Sequence, residues 1–385
     1  MSRRICVVTG SRAEFGLLEP ILREIVDCPS VSLQLVATGA HLSNAFGQTF
    51  REIEAAGFTI DSKVECLMDA DTASSINNSV AIALMKFDEI FRDTSPEIVV
   101  VLGDRYEILA VVLAALFRQI PVAHISGGEV TKGAFDDAIR HAITKMSHFH
   151  FVSTEAYRRR VIQLGEEPDR VFCVGALGID NVNNLQLVEP AVLAKELKIK
   201  FADNNLLVTF HPSTLEPDSG FAQLQALLDA LDRLKDSCLI FTKANADTAG
   251  VSFNRLIESF VLKHRNSHLF DSLGVKRYFS MVSAVDVVIG NSSSGLVEVP
   301  SLKTPTINIG DRQLGRICAD SVINCGPTVE EISGALKKAF SSSFQRKVMQ
   351  TKNPYEGGVA AKTIVEVLAN IEISSAMKKS FHDIV

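Results

Sequence analysis

The stretch EIVVVLGDRYE, Glu97–Glu107, decides the fold. Its run Ile98–Leu102 is continuously apolar and mostly β-branched, whereas a strand with one wet face would alternate polar and apolar residues. It therefore reads as a strand covered on both faces, as in a parallel sheet flanked by helices. Gly103, Asp104 and Arg105 follow as a polar exit, and Ile108–Phe117 has the length and character of a core helix.

The same unit recurs on both sides. ICVVTG (Ile5–Gly10) precedes a helix from about Glu14, and SLQLVATG (Ser32–Gly39) precedes a helix after Leu42. IPVAHIS (Ile120–Ser126) and HFHFVS (His148–Ser153) continue the pattern. This alternation predicts a doubly wound α/β domain. Around Phe172 to Leu206 the rhythm loosens into a stretch rich in Gly, Asn and Pro, which is expected to be the linker. It restarts with NLLVTFHP, SCLIFTKAN, VDVVIGN and TPTINIG. The expected organisation is a domain over 1–180, a second over 181–355, and a closing segment 356–385 whose helix, near Ala360 to Ile371, packs back on the first. Two Rossmann-like domains facing a cleft are expected, and 385 residues suit two cores.

Composition narrows the function. Hydrophobic residues make up 46% and charged residues 22%, an ordinary globular balance that excludes extended disorder. A net charge of -6 gives no global attraction for nucleic acid or an anionic membrane, so an anionic ligand needs a locally built site. Seven scattered cysteines without CxxC or metal-ligand spacing read as reduced core residues. No apolar run approaches the roughly 20 residues of a membrane span, and a cytoplasmic location is expected.

In open α/β sheets ligands bind beyond the carboxyl ends of the strands. TGSRAEFG places Arg12 at such an exit, near a helix start whose free amides favour anions. Asp104 directly follows the run Ile98–Leu102, where it could equally cap the next helix. HISGGEVTKGAFDDAIRH, His124–His141, holds Glu129 in a glycine-flanked loop and Asp136 and Asp137 at a helix start, with Asp136 and Arg140, and Asp137 and His141, one turn apart. Carboxylates converging on one rim suit proton transfer. In the second half His211, Lys243, Asn245 and Asp247 stand at strand exits, and Asn291, Ser292, Ser293, Ser294 and Gly295 form a hydroxyl-rich turn with Glu298 close behind. Such a turn suits phosphate oxygens, and Glu298 suits the hydroxyls of a ribose. Ser280 and Met281 are counted with these binding candidates.

GSRAEFG, GDRYE, HISGGE, DDAIRHAITKMSH, FHP, GNSSSGLVE and NPYEGG, in this order and across nearly the whole chain, resemble the hydrolysing UDP-N-acetylglucosamine 2-epimerases of bacterial sialic acid synthesis. The resemblance implies a GT-B architecture with UDP held mainly by the second domain. It implies that a base removes the C2 proton of the sugar as UDP leaves C1, and that water then adds to the 2-acetamidoglucal to give N-acetylmannosamine. No metal or redox cofactor is implied. The partners are the UDP-sugar and UDP, and a homo-oligomer, dimer or tetramer, is expected. Carried over, Asp104, Glu129 and Asp136 are acid/base candidates, and Arg12, His211, Ser292, Ser293 and Glu298 are nucleotide contacts, with His211 near the diphosphate and counted among the catalytic candidates.

One position departs. Many relatives have a glutamate two residues after the histidine corresponding to His124, and this chain has Ser126. Either Glu129 takes over as base or Asp104 and Asp136 share the task. HISGGE also resembles epimerases acting on a 2,4-diacetamido-2,4,6-trideoxy sugar nucleotide for legionaminic acid. A GT-B glycosyltransferase is the alternative outside that chemistry.

Overall fold

The computed structural model describes residues 2–68, 72–132, 135–212, 217–243, 250–373 and 376–384. The chain forms two compact units, one of Met1–Glu129, Asp136–Asp180 and Gly357–Val385, the other of Val130–Phe135 and Asn181–Glu356. Each is a doubly wound α/β layer structure.

Unit 1 carries a parallel sheet of β1 (Arg3–Thr9), β2 (Val31–Thr38), β3 (Ser62–Val64), β4 (Ile98–Leu102), β5 (Val122–Ile125), β6 (Phe149–Val152) and β7 (Val171–Cys173), in the order β3-β2-β1-β4-β5-β6-β7. Strand periodicity separates its two cores. Ile5, Val7, Ile98, Val100 and Leu102 face one side, against Leu18 and Leu22 of the helix Arg12–Asp27 and Ile364 and Leu368 of the helix Ala360–Asn370. Cys6, Val8, Val99 and Val101 face the other, against the helices Ala73–Thr94 and Tyr106–Phe117. Successive side chains point to opposite faces, so a continuous apolar run fills both layers at once.

The helix Ala360–Asn370 has no cap of its own. The buried carboxylate of Asp180 supplies one, accepting from the amides of Ala360 and Ala361 at 3.1 and 2.7 Å. After β2 the chain makes two short 3-10 turns, Gly39–Leu42 and Asn44–Phe46, before the helix Phe50–Ala55. His41 holds these turns, its ring bonding Thr9 and Thr49. The stretch read as a linker is not irregular: it holds β7 and the helices Leu177–Asn184 and Pro190–Leu197.

Unit 2 carries a parallel sheet of β8 (Asn204–Thr209), β9 (Ser237–Thr242), β10 (Ser267–Phe270), β11 (Val287–Gly290), β12 (Thr306–Ile309) and β13 (Val322–Cys325), in the order β10-β9-β8-β11-β12-β13. Among the described residues no helix is long and apolar enough to cross a membrane.

Candidate active site

On unit 1 the site builds outward from the end of β4. Gly103 takes φ +76°, a left-handed turn that L side chains resist. The cap of the following helix is Arg105, not Asp104. The Asp104 carboxylate instead accepts from Nη2 of Arg140. Arg140 is 2% exposed, and its Nη1 donates to the carbonyl oxygen of Glu129 at 3.0 Å and to Oδ1 of Asp137 at 3.2 Å. One buried guanidinium thus ties the β4 exit, the glycine loop and its own helix together. The planar five-donor fork of arginine makes this possible where a lysine would not.

His124 sets the backbone beneath. Its Nε2 donates to the Gly103 carbonyl oxygen at 2.8 Å, and Nδ1 lies 3.1 Å from the Thr144 hydroxyl. Burial lowers its pKa to about 3, so the ring is neutral, with its hydrogen on Nε2. The glycines after it have no room for side chains: a Cβ on Gly127 would lie 2.9 Å from Thr144 Oγ1, and one on Gly128 2.6 Å from the Tyr157 carbonyl oxygen. Ser126 adopts φ +66° and donates its amide to Phe151 at 2.9 Å. Glu129 is 8% exposed, and Asp136 and Asp137 open the helix Asp136–Met146. At the end of β1, Arg12 is exposed, 3.9 Å from Glu52.

On unit 2 the ends of β8 and β11 approach closely. Gly290 has φ +143°, and a Cβ there would fall 1.8 Å from the Thr209 carbonyl oxygen, so only glycine fits. The next residue, Asn291, clamps two strand exits: its Oδ1 accepts from the amide of His211 at 2.7 Å, and its Nδ2 donates to the His211 carbonyl at 2.8 Å. Arg312 and Gln313 donate to the Asn291 carbonyl at 3.0 and 2.9 Å. Burial first and the Arg312 charge second lower the His211 pKa to about 3, so this imidazole is neutral.

The hydroxyl-rich turn is short. Ser294–Val297 make one helical turn, with Ser293 at its cap, and the amides of Ser293 and Ser294 have no protein acceptor among the described residues. Gly295 lies against Thr306, where a Cβ would meet Cγ2 at 2.8 Å. Tyr278, Ser294 and Glu298 stand together, and burial pushes the Tyr278 hydroxyl up to about 12. Val130–Phe135 belongs to this unit, with the Lys132 amide donating to the Leu314 carbonyl at 3.2 Å.

Ser280 and Met281 are core: the Ser280 hydroxyl is used by the Val188 amide and the Lys276 carbonyl, and Met281 is fully buried between strand and helix. They lie on the inward face of the helix Gly274–Ala284, which sequence proximity to the turn does not reveal. Lys243 pairs with Asp271 at 2.6 Å and Glu258 at 3.3 Å. Asn245 and Asp247 lie outside the described residues. The sequence reading also missed Arg140 as the organiser of unit 1, and Arg312, Gln313 and Tyr278 on unit 2. His124 was the one readable signal, a polar ring at the end of an apolar strand.

Comparison with known proteins fits this arrangement. The family described as UDP-N-acetylglucosamine 2-epimerase matches residues 23–369. A Campylobacter jejuni protein called GDP/UDP-N,N'-diacetylbacillosamine 2-epimerase (hydrolyzing) is 42% identical, covering 99% of both chains. The Escherichia coli polysialic acid biosynthesis protein P7 is 38% identical, over 99% of this chain and 98% of its own. The crystal structure of a Neisseria meningitidis UDP-GlcNAc 2-epimerase bound to UDP-GlcNAc shares the fold, with a TM-score of 0.83 at 18% identity over 96% of this chain and all of that one. The chain belongs to the UDP-N-acetylglucosamine 2-epimerase family.

Proposed function

We propose that this chain is a hydrolysing 2-epimerase of a UDP-linked 2-acetamido sugar, converting UDP-N-acetylglucosamine and water to N-acetylmannosamine and UDP for sialic acid synthesis. The observation that carries this reading is the buried Arg140 holding Asp104 and the Glu129 loop at the carboxyl edge of the unit 1 sheet, in a chain that matches a hydrolysing relative end to end.

The chemistry follows from those groups. A carboxylate takes the C2 proton while the C1–oxygen bond to UDP breaks, leaving a C1–C2 double bond. Water then bonds to C1 and a proton returns to C2 on the other face. Such steps need one group to accept and another to donate a proton, and Asp104, Glu129 and Asp136 supply three carboxyl groups. Arg140 carries positive charge into a place where negative charge would otherwise accumulate. On unit 2 we assign the diphosphate to Ser292, Ser293 and the neutral His211, and the ribose to Glu298. Arg12, Asn291, Ser294 and Gly295 complete the binding set, Asn291 by fixing His211. The assembly is proposed to be a homo-oligomer.

A second reading concerns the sugar alone. The C. jejuni relative is named for a diacetamido substrate, which favours the UDP-2,4-diacetamido-2,4,6-trideoxy sugar. Incubation with each sugar nucleotide and NMR identification of the released sugar decides between them. Retention of both substrates without free UDP counts against the proposal as a whole.

A further inference from the structure

Among the described residues, two buried carboxyl groups of unit 1 that lie outside the proton-transfer set each have one oxygen without a hydrogen-bond partner. Glu14 is 8% exposed and Glu107 fully buried. Oε2 of Glu14 accepts from the Gly10 amide at 2.6 Å, and Oε1 has no hydrogen-bond partner among the described residues. Oε1 of Glu107 accepts from Nε of Arg105 at 2.6 Å, and Oε2 has none. Both pack on one glycine: a Cβ on Gly10 would lie 3.0 Å from Glu107 Oε1 and 3.2 Å from Glu14 Oε2. Gly39 closes the other side, where a Cβ would lie 2.8 Å from Glu107 Oε1.

Helix capping accounts for only part of this. Ser11 caps the helix Arg12–Asp27, and an acidic residue at the position of Glu14 commonly completes such a cap. Capping does not explain Glu107, on a different helix, packed against the same glycine as Glu14. Two ionised carboxylates so close repel, and unmet buried acceptors are costly. A single proton on the pair removes one of the two charges.

We propose that the Glu14 and Glu107 pair holds one proton at neutral pH, and that this half-neutralised pair positions Arg105 and with it the backbone of Asp104. The positioning half rests on the reading of Asp104 as part of the proton-transfer set. Asp104 then stands between two fixed points, the Gly103 carbonyl held by His124 and the Arg105 side chain held by Glu107.

The surroundings agree. Burial dominates at Glu14, Arg105 opposes it, Glu107 and Asp104 reinforce it, and the Glu14 pKa reaches about 8. From the turn after β2, His41 is held neutral by burial, its pKa lowered to about 4. Beyond β3, the Cys66 thiol is pushed up by burial and by Glu107, with Lys86 opposing. At neutral pH neither His41 nor Cys66 supplies a charge to replace the proton.

The test measures Tm and kcat/KM from pH 4 to 9.5 for the wild type and for Glu14→Gln, whose amide copies the protonated carboxyl. A pKa raised from 4.5 to about 8 means the contribution to stability is full below 4.5 and is lost as pH rises to 8. The Tm advantage of Glu14→Gln should therefore grow across that window and stay level above it, whereas a gap independent of pH overturns the proton on the pair. For the wild type kcat/KM should fall with an apparent pKa of about 8, and Glu14→Gln should move that limb up by about one unit or more. An unmoved limb overturns the positioning role. Glu107→Gln removes the repelling charge and should likewise reduce the Tm slope, so it serves if Glu14→Gln does not fold. The Tm arm needs no substrate. A wild type that releases no UDP from either sugar nucleotide overturns the functional reading and the positioning role, while the Tm arm still decides the proton.

Discussion

Arg140 and Asp104, 36 positions apart in the chain, form an ion pair whose arginine side chain is 3% exposed, and the same guanidinium holds the Glu129 carbonyl oxygen at 3.0 Å. A buried pair of this kind is expensive to break from one side, because the remaining charge is stranded away from water. Arg140→Ala should lower the unfolding free energy by about 3 to 5 kcal/mol, read as a fall in the urea midpoint. Arg140→Lys keeps the charge but loses the fork, and kcat should fall while the fold remains. An Arg140→Ala protein as stable as the wild type would remove Arg140 from its organising role.

Glu129→Gln keeps the shape of the loop and loses proton transfer. Removing a general acid or base typically lowers the rate by about 10²- to 10⁴-fold, so kcat should drop by that order with UDP affinity and Tm little changed. Ser126→Ala should cost far less, since a hydroxyl is no general base at neutral pH. If Glu129→Gln stays active and Asp104→Asn or Asp136→Asn does not, the base is an aspartate.

His124 makes stability sensitive to acid. Its pKa is near about 3 in the folded chain against an ordinary 6.5, so the neutral ring contributes stability that is present above 6.5 and lost as pH falls toward 3. At pH 5 the unfolded state carries this proton and the folded state does not. His124→Gln should accordingly flatten the stability-against-pH slope there by about 1.4 kcal/mol per pH unit, measured by urea unfolding between pH 4.5 and 6. An unchanged slope would mean the ring is charged in the fold.

Glu298→Ala should weaken nucleotide binding more than turnover, because the ribose is the same in ground and transition states. Loss of charge-assisted hydrogen bonds of about 1.5 to 3 kcal/mol corresponds to a KM higher by roughly 10- to 150-fold. A collapse of kcat with normal UDP affinity would place Glu298 in the chemistry instead.

How much was legible follows from where the information lies. Continuous runs such as Ile98–Leu102 announce doubly covered strands, and the residues after them are rim residues by topology. The organising role of Arg140 was hidden because acidic neighbours on its own helix already offered a sufficient local explanation. Glu14 and Glu107 were hidden for the same reason, each reading as an acidic residue in the first turn of a helix. Ser280 and Met281 are buried on the inward face of their helix, which closeness in sequence to a promising turn does not reveal. Long-range pairs and facing are properties of the packed chain.

The most direct measurement runs the reaction in deuterium oxide with UDP-N-acetylglucosamine, and in parallel with the diacetamido sugar nucleotide, following C2 of the released sugar by NMR. Inversion by elimination and hydration exchanges the carbon-bound hydrogen with a solvent-equilibrated group, so the account predicts free UDP and a C2-inverted sugar fully deuterated at C2. A product that keeps protium at C2 would contradict the elimination route and the acid/base roles given to Asp104, Glu129 and Asp136.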